Sequence, residues 1–314
     1  MPFFVAGAGG AIGLPLIAAL VREGHTVTAM NRDEVGTQKL VEMGATVVIV
    51  NAFDGAAVEQ AVRRSQAEVV IDQLTALPKD PARYAAAFAG DRKLRLEGGG
   101  NLHRAAQAAG VRRYIQQASG FLLKAEAGLA DESVRLATDA SAGVAATAQM
   151  YAEVEARLLN SGKMEGIALR YGFFYGPNTW YWPEGAAAEH VRRRETPVVG
   201  RGEGVWSFVH IEDAALATVA ALTAPPGIYN VVDDYPSPVS RWLPAFAGWV
   251  GAPPPPQLTE QEAREVHGED AVYYGTKLVG ASNDKAKRTF KFNPRRLQWL
   301  NEPVITNPVL AKVC

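Results

Sequence analysis

Cysteine is almost missing from this chain: of 314 residues only the last, Cys314, is one. A single thiol excludes an internal disulfide framework and fits a reducing compartment, so a cytoplasmic location is expected. An excess of one charge is missing too. Thirty-two basic side chains face 33 acidic ones, for a formal net charge of -1. That balance supplies no field for nucleic acid or an anionic membrane, and neither is expected as a partner. No Cys/His set has metal-ligand spacing, so no metal is expected. Long apolar runs are scarce. The first twenty residues come nearest, but they carry Gly9-Gly10 and Pro15 and lack a basic leader region. They read as a strand and a helix rather than a signal or membrane segment.

What is present is a 48% hydrophobic composition, enough for a sizeable core. The chain opens on Phe3-Phe4-Val5-Ala6 followed by glycines at 7, 10 and 13. An apolar strand meeting such a glycine turn can place bare amides and a helix N-terminus against a pyrophosphate. Gly7, Gly10, Ala11, Ile12 and Gly13 are therefore candidate cofactor-binding residues. The spacing is not the common G-x-G-x-x-G, because Ile12 stands where that pattern needs glycine. Pro15 opposes a regular helix from Ala11, so the helix is expected to start near Ile12 or Gly13.

A second apolar strand at 27–30 runs into Asn31-Arg32. The acidic residue that would take a ribose 2′-hydroxyl is absent, and Arg32 can instead meet a 2′-phosphate. The cofactor is read as NADP in preference to NAD, with Arg32 as a plain solvated turn residue the alternative. The third strand ends at Asn51-Ala52 and the fourth at Leu74-Thr75-Ala76, positions expected to border the adenosine.

Apolar runs at 3–6, 27–30, 46–50, 69–74, 114–118 and 167–170 alternate with helical stretches. This predicts an α/β fold with a doubly wound parallel (Rossmann) sheet covered on both faces. After Tyr171 the texture turns to Gly, Pro and aromatic clusters, which suits a smaller, discontinuous C-terminal substrate region. The expected division is a dinucleotide domain over 1–175, also receiving about 205–235, and a substrate region over 176–204 and 236–314. Tyr175, Trp180, Tyr181 and Trp182 follow the sixth strand and are expected to wall a pocket for a flat or hydrophobic substrate, with core packing of two of the four the alternative.

With these segments in view, the chain resembles the extended and atypical branch of the short-chain dehydrogenase/reductase superfamily, the NAD(P)-dependent epimerase/dehydratase-like proteins. The likeness rests on the glycine turn, on Gly98-Gly99-Gly100-Asn101-Leu102 and Gly110-Val111-Arg112-Arg113-Tyr114, on Leu169-Arg170-Tyr171-Gly172 through Gly176-Pro177, on Phe208-Val209-His210-Ile211-Glu212-Asp213, on Ile228-Tyr229-Asn230-Val231 and on Ser282-Asn283-Asp284-Lys285. It implies a Rossmann domain for the cofactor, a small-molecule substrate, and pairing of two long helices across a homodimer axis.

The resemblance also implies a Ser or Thr after the fifth strand, and a Tyr with a Lys four residues on along the next helix. Ser119 fits the first, and Tyr151 is the only tyrosine of the predicted helix 142–160. Four residues beyond Tyr151 stands Glu155, not lysine. If the register follows Glu155-Ala156-Arg157-Leu158-Leu159 instead, Thr147 takes the tyrosine's place and Tyr151 the lysine's. A carboxylate beside a phenol raises its pKa, leaving Tyr151 able to donate a hydrogen bond but a poor base. The alternatives are that Tyr151 is packing with Glu155 paired to an arginine, and that the Ser119 hydroxyl is bonded to backbone. His210 is read as structural, with a ring nitrogen bonded to backbone. The expected activity is NADP(H)-dependent oxidation or reduction at a carbonyl or hydroxyl of a small, aromatic or polycyclic metabolite, with Ser119 and Tyr151 polarising the oxygen. Redox-neutral epimerization or dehydration and non-catalytic NADP sensing stay open beside it.

Overall fold

The computed structural model describes residues 1–300; Cys314 and the end of the expected C-terminal region lie outside them. Pro2–Ala6 (β1), Thr26–Asn31 (β2), Thr46–Ile49 (β3), Val69–Asp72 (β4), Arg113–Ser119 (β5) and Glu165–Tyr171 (β6) join Gly227–Val231 in one seven-stranded sheet. The order is Gly227–Val231, β6, β5, β4, β1, β2, β3, and every neighbouring pair is parallel. Parallel neighbours need crossovers. The helices Gly13–Arg22 (α1), Thr37–Glu42 (α2), Gly55–Ser65 (α3), Tyr84–Lys93 (α4), Gly99–Ala108 (α5) and Ala142–Leu159 (α6) supply them. This is the doubly wound sheet that the alternating apolar runs imply. Its strand order reverses between β1 and β4, which opens a crevice at their carboxyl ends.

The pleat explains why β1 reads as an unbroken apolar run. Phe3 and Val5 pack on one face with Leu16 and Ile17 of α1, while Phe4 and Ala6 pack on the other with Val58, Val70 and Leu102. Both faces are covered, so neither tolerates polar residues. Pro15 behaves as its chemistry requires. Ile12 is the N-cap and α1 starts at Gly13, so the proline falls in the first turn, where its missing N–H has no helical partner to lose.

Beyond β6 the chain forms short pairs over a mostly helical remainder. Phe173–Tyr175 runs parallel to Phe208–His210, and Val205–Trp206 runs antiparallel to Ser237–Pro238. Trp242, Phe246, Phe208 and Trp299 pack edge-on around a separate aromatic core. No described helix is long and apolar enough to cross a membrane.

Candidate active site

The glycine turn lies at the carboxyl edge of β1. Gly7 adopts φ +76°, and a Cβ there would stand 2.4 Å from the Gln73 carbonyl oxygen. At Gly13 a Cβ would meet the Ala8 and Gly7 carbonyl oxygens at 2.3 and 2.4 Å. Both positions are closed to side chains by backbone, so the turn is compact because these residues are glycine. Gly9 and Gly10 are exposed at its tip, and α1 begins with no side-chain cap on its first amides. Uncapped amides at a helix start, next to glycines that allow close approach, fit a dinucleotide's pyrophosphate.

The rim residues divide into anchors and free groups. A Cβ on Gly9 would lie 3.7 Å from the Asn31 side-chain oxygen, which puts the end of β2 beside the turn. The Asn31 amide donates to the Asp33 and Val35 carbonyls and shapes the loop. Arg32 projects from it with its side chain 89% exposed, touching only Asp33 through Nε at 3.1 Å. Asn51 accepts the Phe53 N–H, and the Ala52 carbonyl accepts from Asn101. The Leu74 N–H is spent on Asp72, and the Ala76 N–H donates to Asp91 Oδ1 at 2.6 Å. Leu74 and Ala76 thus sit at the expected edge with their amides already engaged. Thr75 lies half-buried between them.

Ser119 ends β5 paired in register with Tyr171 of β6. It is 1% exposed, and among the described residues its hydroxyl has no hydrogen-bond partner, contrary to the reading in which it is tied to backbone. A buried hydroxyl at this edge is an unfilled donor and acceptor. Tyr151, on α6, is buried. Burial first, opposed by Arg95 and reinforced by Asp91, Tyr84 and Glu155, pushes its phenol well above its ordinary value. The direction agrees with the expectation from sequence, but desolvation, not the neighbouring carboxylate, is its main cause. Glu155 is fully engaged elsewhere: Arg170 of β6 donates Nε and Nη2 to its two oxygens at 2.7 and 2.8 Å. The pair is buried, bidentate and joins α6 to the sheet.

An aromatic wall forms, with Tyr181 the one expected residue in it. A cavity of about 280 Å³ opens among Tyr181, Trp206, Trp242, Phe246 and Tyr274. Phe173 stacks on Phe121 at 4.1 Å and on Trp206 at 4.0 Å, so one run of rings connects the segment just after Ser119 to the cavity. Burial raises the pKa of the Tyr274 phenol, and Tyr274 packs against the core cluster that contains Tyr151. Trp242 lines the cavity, and its buried indole N–H has no hydrogen-bond partner among the described residues. Tyr175, expected on the wall, is instead core: it is fully buried against Trp299 and His210, with its hydroxyl toward the Arg296 carbonyl. Trp180 donates its indole N–H to the Pro78 carbonyl, and Trp182 packs on Trp249, so neither lines this cavity. Of that segment only Tyr181 does.

The loop after β4 is clasped over the same cavity. His190, in its lining, contacts Asp80 at 2.8 Å through Nε2 and Glu195 at 2.6 Å through Nδ1. Burial lowers the His190 pKa, but the two carboxylates outweigh it and raise it overall. His210 is structural, as read from the sequence: its Nδ1 accepts the Glu212 N–H and caps the helix Ile211–Ala220.

Residues 3–231 match the model of the NAD dependent epimerase/dehydratase family. The chain belongs to that family. A 3-diazoavenalumate denitrifying reductase of Streptomyces sp is 39% identical to it over 305 residues, covering 95% of this chain and 98% of that protein. A 2-alkyl-3-oxoalkanoate reductase of Stenotrophomonas maltophilia is 26% identical over 266 residues, 81% of this chain and 77% of that one. Among solved structures, the UDP-glucose 4-epimerase of Thermus thermophilus, in complex with NAD, superposes with a TM-score of 0.72 at 23% identity, over 95% of this chain and 96% of that one.

Within this epimerase/dehydratase fold, reading the residues in order missed Trp206, Trp242 and Tyr274 as cavity walls and Arg95 as a neighbour of Tyr151. The first three come from remote segments, with no local pattern to mark them as one wall. Arg95 lies 5.0 Å from the Tyr151 ring centre because a π-helical turn, Leu94–Gly98, breaks the helical period between α4 and α5.

Proposed function

We propose that this protein is an NADP(H)-dependent reductase of a small aromatic metabolite whose reacting group accepts hydride without needing a proton from a tyrosine–lysine pair, an aryl diazo group being the case that fits best. The carrying observation is the state of α6. It holds no lysine, Glu155 is consumed by Arg170, and the Tyr151 phenol is kept protonated by burial. Such a helix is badly equipped to relay a proton onto an alkoxide at neutral pH. When bound, the reduced cofactor would supply a hydride, and with an aryl diazonium cation this would replace the C–N bond by a C–H bond and release dinitrogen. No residue has to protonate an oxygen in that sequence. The aromatic cavity, lined by Tyr181, Trp206, Trp242 and Tyr274, holds the flat ring. The relative that is 39% identical carries a denitrifying activity on a diazo compound in its name, which supports the same reading.

Carbonyl reduction is the second reading, favoured by the protonated Tyr151 and the free Ser119 hydroxyl as two hydrogen-bond donors. One assay separates them. Purified protein with NADPH is given an aryl diazonium carboxylate or a panel of ketones, and NADPH absorbance and dinitrogen release are both followed. With the diazo substrate, Tyr151→Phe is expected to keep turnover within about threefold, whereas general-acid catalysis would lose roughly a hundredfold or more. NADPH consumption only with ketones, abolished by Tyr151→Phe, would overturn the diazo reading.

NADP is proposed over NAD on Arg32, which stands exposed beside the glycine turn. Its exposed pairing with Asp33 is worth little, so the guanidinium is free to turn to a 2′-phosphate. Arg32→Ala is expected to weaken NADPH by roughly tenfold or more, the worth of a charge-assisted contact, and NADH hardly at all. Fluorescence titration of both nucleotides checks this, and equal weakening would remove the preference.

A further inference from the structure

Part of the wall of the aromatic cavity is a loop fastened by a single imidazole. Pro81 and Ala82, in the loop after β4, line the cavity together with Tyr181, Trp206, Trp242 and Tyr274. His190, on the helix Ala186–Arg192, meets Asp80 Oδ1 of that loop through Nε2 at 2.8 Å and Glu195 Oε2 through Nδ1 at 2.6 Å. The same Asp80 oxygen accepts the Ala82 N–H at 2.9 Å, so one carboxylate joins His190 to the backbone that lines the cavity.

A neutral imidazole carries one N–H and one lone pair, so between two carboxylates it can donate to only one, and its bare nitrogen faces the other lone pair to lone pair. Imidazolium donates to both. The directions agree with that state: burial lowers the His190 pKa but the bonds to Asp80 and Glu195 raise it overall, while the bond to His190 is the first cause lowering that of Asp80. The other charges about the ring have their own partners. Glu189 pairs with Arg193 at 2.7 Å, Arg192 donates to the Pro183 and Val250 carbonyls, and Arg83 on the loop helps hold Asp80 ionised. Besides Glu195, the ionisable side chains sharing the lining with His190 are His267, Tyr181 and Tyr274, and burial keeps the two phenols protonated.

We propose that His190 is a positioning residue for the aromatic substrate: as imidazolium it bridges Asp80 and Glu195 and holds Pro81 and Ala82 as a wall of the cavity, and on losing its proton it releases that wall. The inference rests on the reading that the aromatic cavity takes the substrate. It gives substrate binding a pH dependence of fixed sign. The contribution is complete at low pH and is lost as pH rises through the His190 value, because the bridge exists only in the protonated form.

Cinnamamide, a flat aromatic with no ionisable group, is titrated against the intact protein by tryptophan fluorescence from about pH 5.5 to about pH 8.5, the range in which imidazole changes charge. The parent is expected to lose about threefold or more in affinity across it, the size of a partly exposed ion pair. The midpoint should lie above the ordinary imidazole value of about 6.5. His190→Gln is expected to show the parent's weaker, high-pH affinity throughout, with no step. Glu195→Gln takes away one carboxylate and should lower the midpoint, and Asp80→Asn, whose amide oxygen can still accept the Ala82 N–H, should flatten the step. These two carry the test if His190→Gln does not fold by circular dichroism. A step that survives in His190→Gln, that neither carboxylate variant alters, or that vanishes in His267→Gln instead, overturns the proposal. Hydrogen exchange of residues 75–83, read by mass spectrometry without ligand, follows the loop itself. Compared at one pH below the midpoint, it should be about threefold or more faster in His190→Gln than in the parent. Equal exchange overturns the proposal, whereas faster exchange without cinnamamide binding supports the clasp and overturns the reading that this cavity takes a flat ring.

Discussion

Arg170→Ala is expected to destabilise the protein by about 3–5 kcal/mol, because it strands the Glu155 carboxylate in a buried position with no counter-charge. Arg170 and Glu155 are almost entirely withdrawn from water, and the guanidinium also reaches the Val134 carbonyl at 3.4 Å. One side chain therefore ties together β6, α6 and the long connection after β5. Against a typical total stability of roughly 5–15 kcal/mol, that loss leaves a marginal fold. Urea denaturation of the variant measures it. Replacing both partners, as in Glu155→Met/Arg170→Met, removes the stranded charge as well as the bond, and should recover most of the loss. A single-variant loss below about 1 kcal/mol, the range of exposed pairs, would mean that water reaches the pair and that it does not clamp α6 to the sheet. The functional consequence follows from place. The clamp fixes how α6 sits over β5 and β6, and so how Tyr151 stands relative to Ser119.

The same pair shows what could be read from residues in order and what could not. Parallel strands buried on both faces declare themselves as apolar runs, so the sheet, its crossovers and the glycine turn at the end of β1 were all legible. That Glu155 would find an arginine was an open alternative. That the arginine would be Arg170, in the motif Leu169-Arg170-Tyr171, depends on how α6 crosses β6, which spacing along one helix cannot show. Three of the four expected wall residues lie elsewhere for a related reason. Tyr175, Trp180, Tyr181 and Trp182 are neighbours in sequence, but the strand and turn that hold them aim successive rings in different directions. Tyr175 enters the core, Trp180 spans to Pro78, and Tyr181 meets Trp206, Trp242 and Tyr274 from three distant segments. Arg95 was hidden by its π-turn, which shifts the helical register between α4 and α5 with no local residue pattern to mark it.

Gly13→Ala is expected to be, with Gly7→Ala, one of the two most damaging single methyl additions to the turn. Its Cβ would stand 2.3 Å from the Ala8 carbonyl oxygen and 2.4 Å from that of Gly7, both backbone atoms that cannot rotate away. Relief requires α1 to move away from the turn, at about 1–3 kcal/mol for an overpacked site. That movement displaces the first amides of α1, and a shift near 1 Å in a positioning element is worth on the order of a hundredfold in turnover. Neighbouring glycines provide the internal control. A Cβ on Gly10 would be 3.2 Å from the Gly7 oxygen, and one on Gly9 would make only an ordinary 3.7 Å contact with Asn31. NADPH affinity across the three alanine variants should therefore fall in the order Gly9, Gly10, Gly13, with Gly9→Ala nearest the parent in stability as well. If Gly13→Ala folds and binds NADPH as the parent does, the amides at the start of α1 do not hold the pyrophosphate, and the cofactor must be gripped from elsewhere along the carboxyl edge.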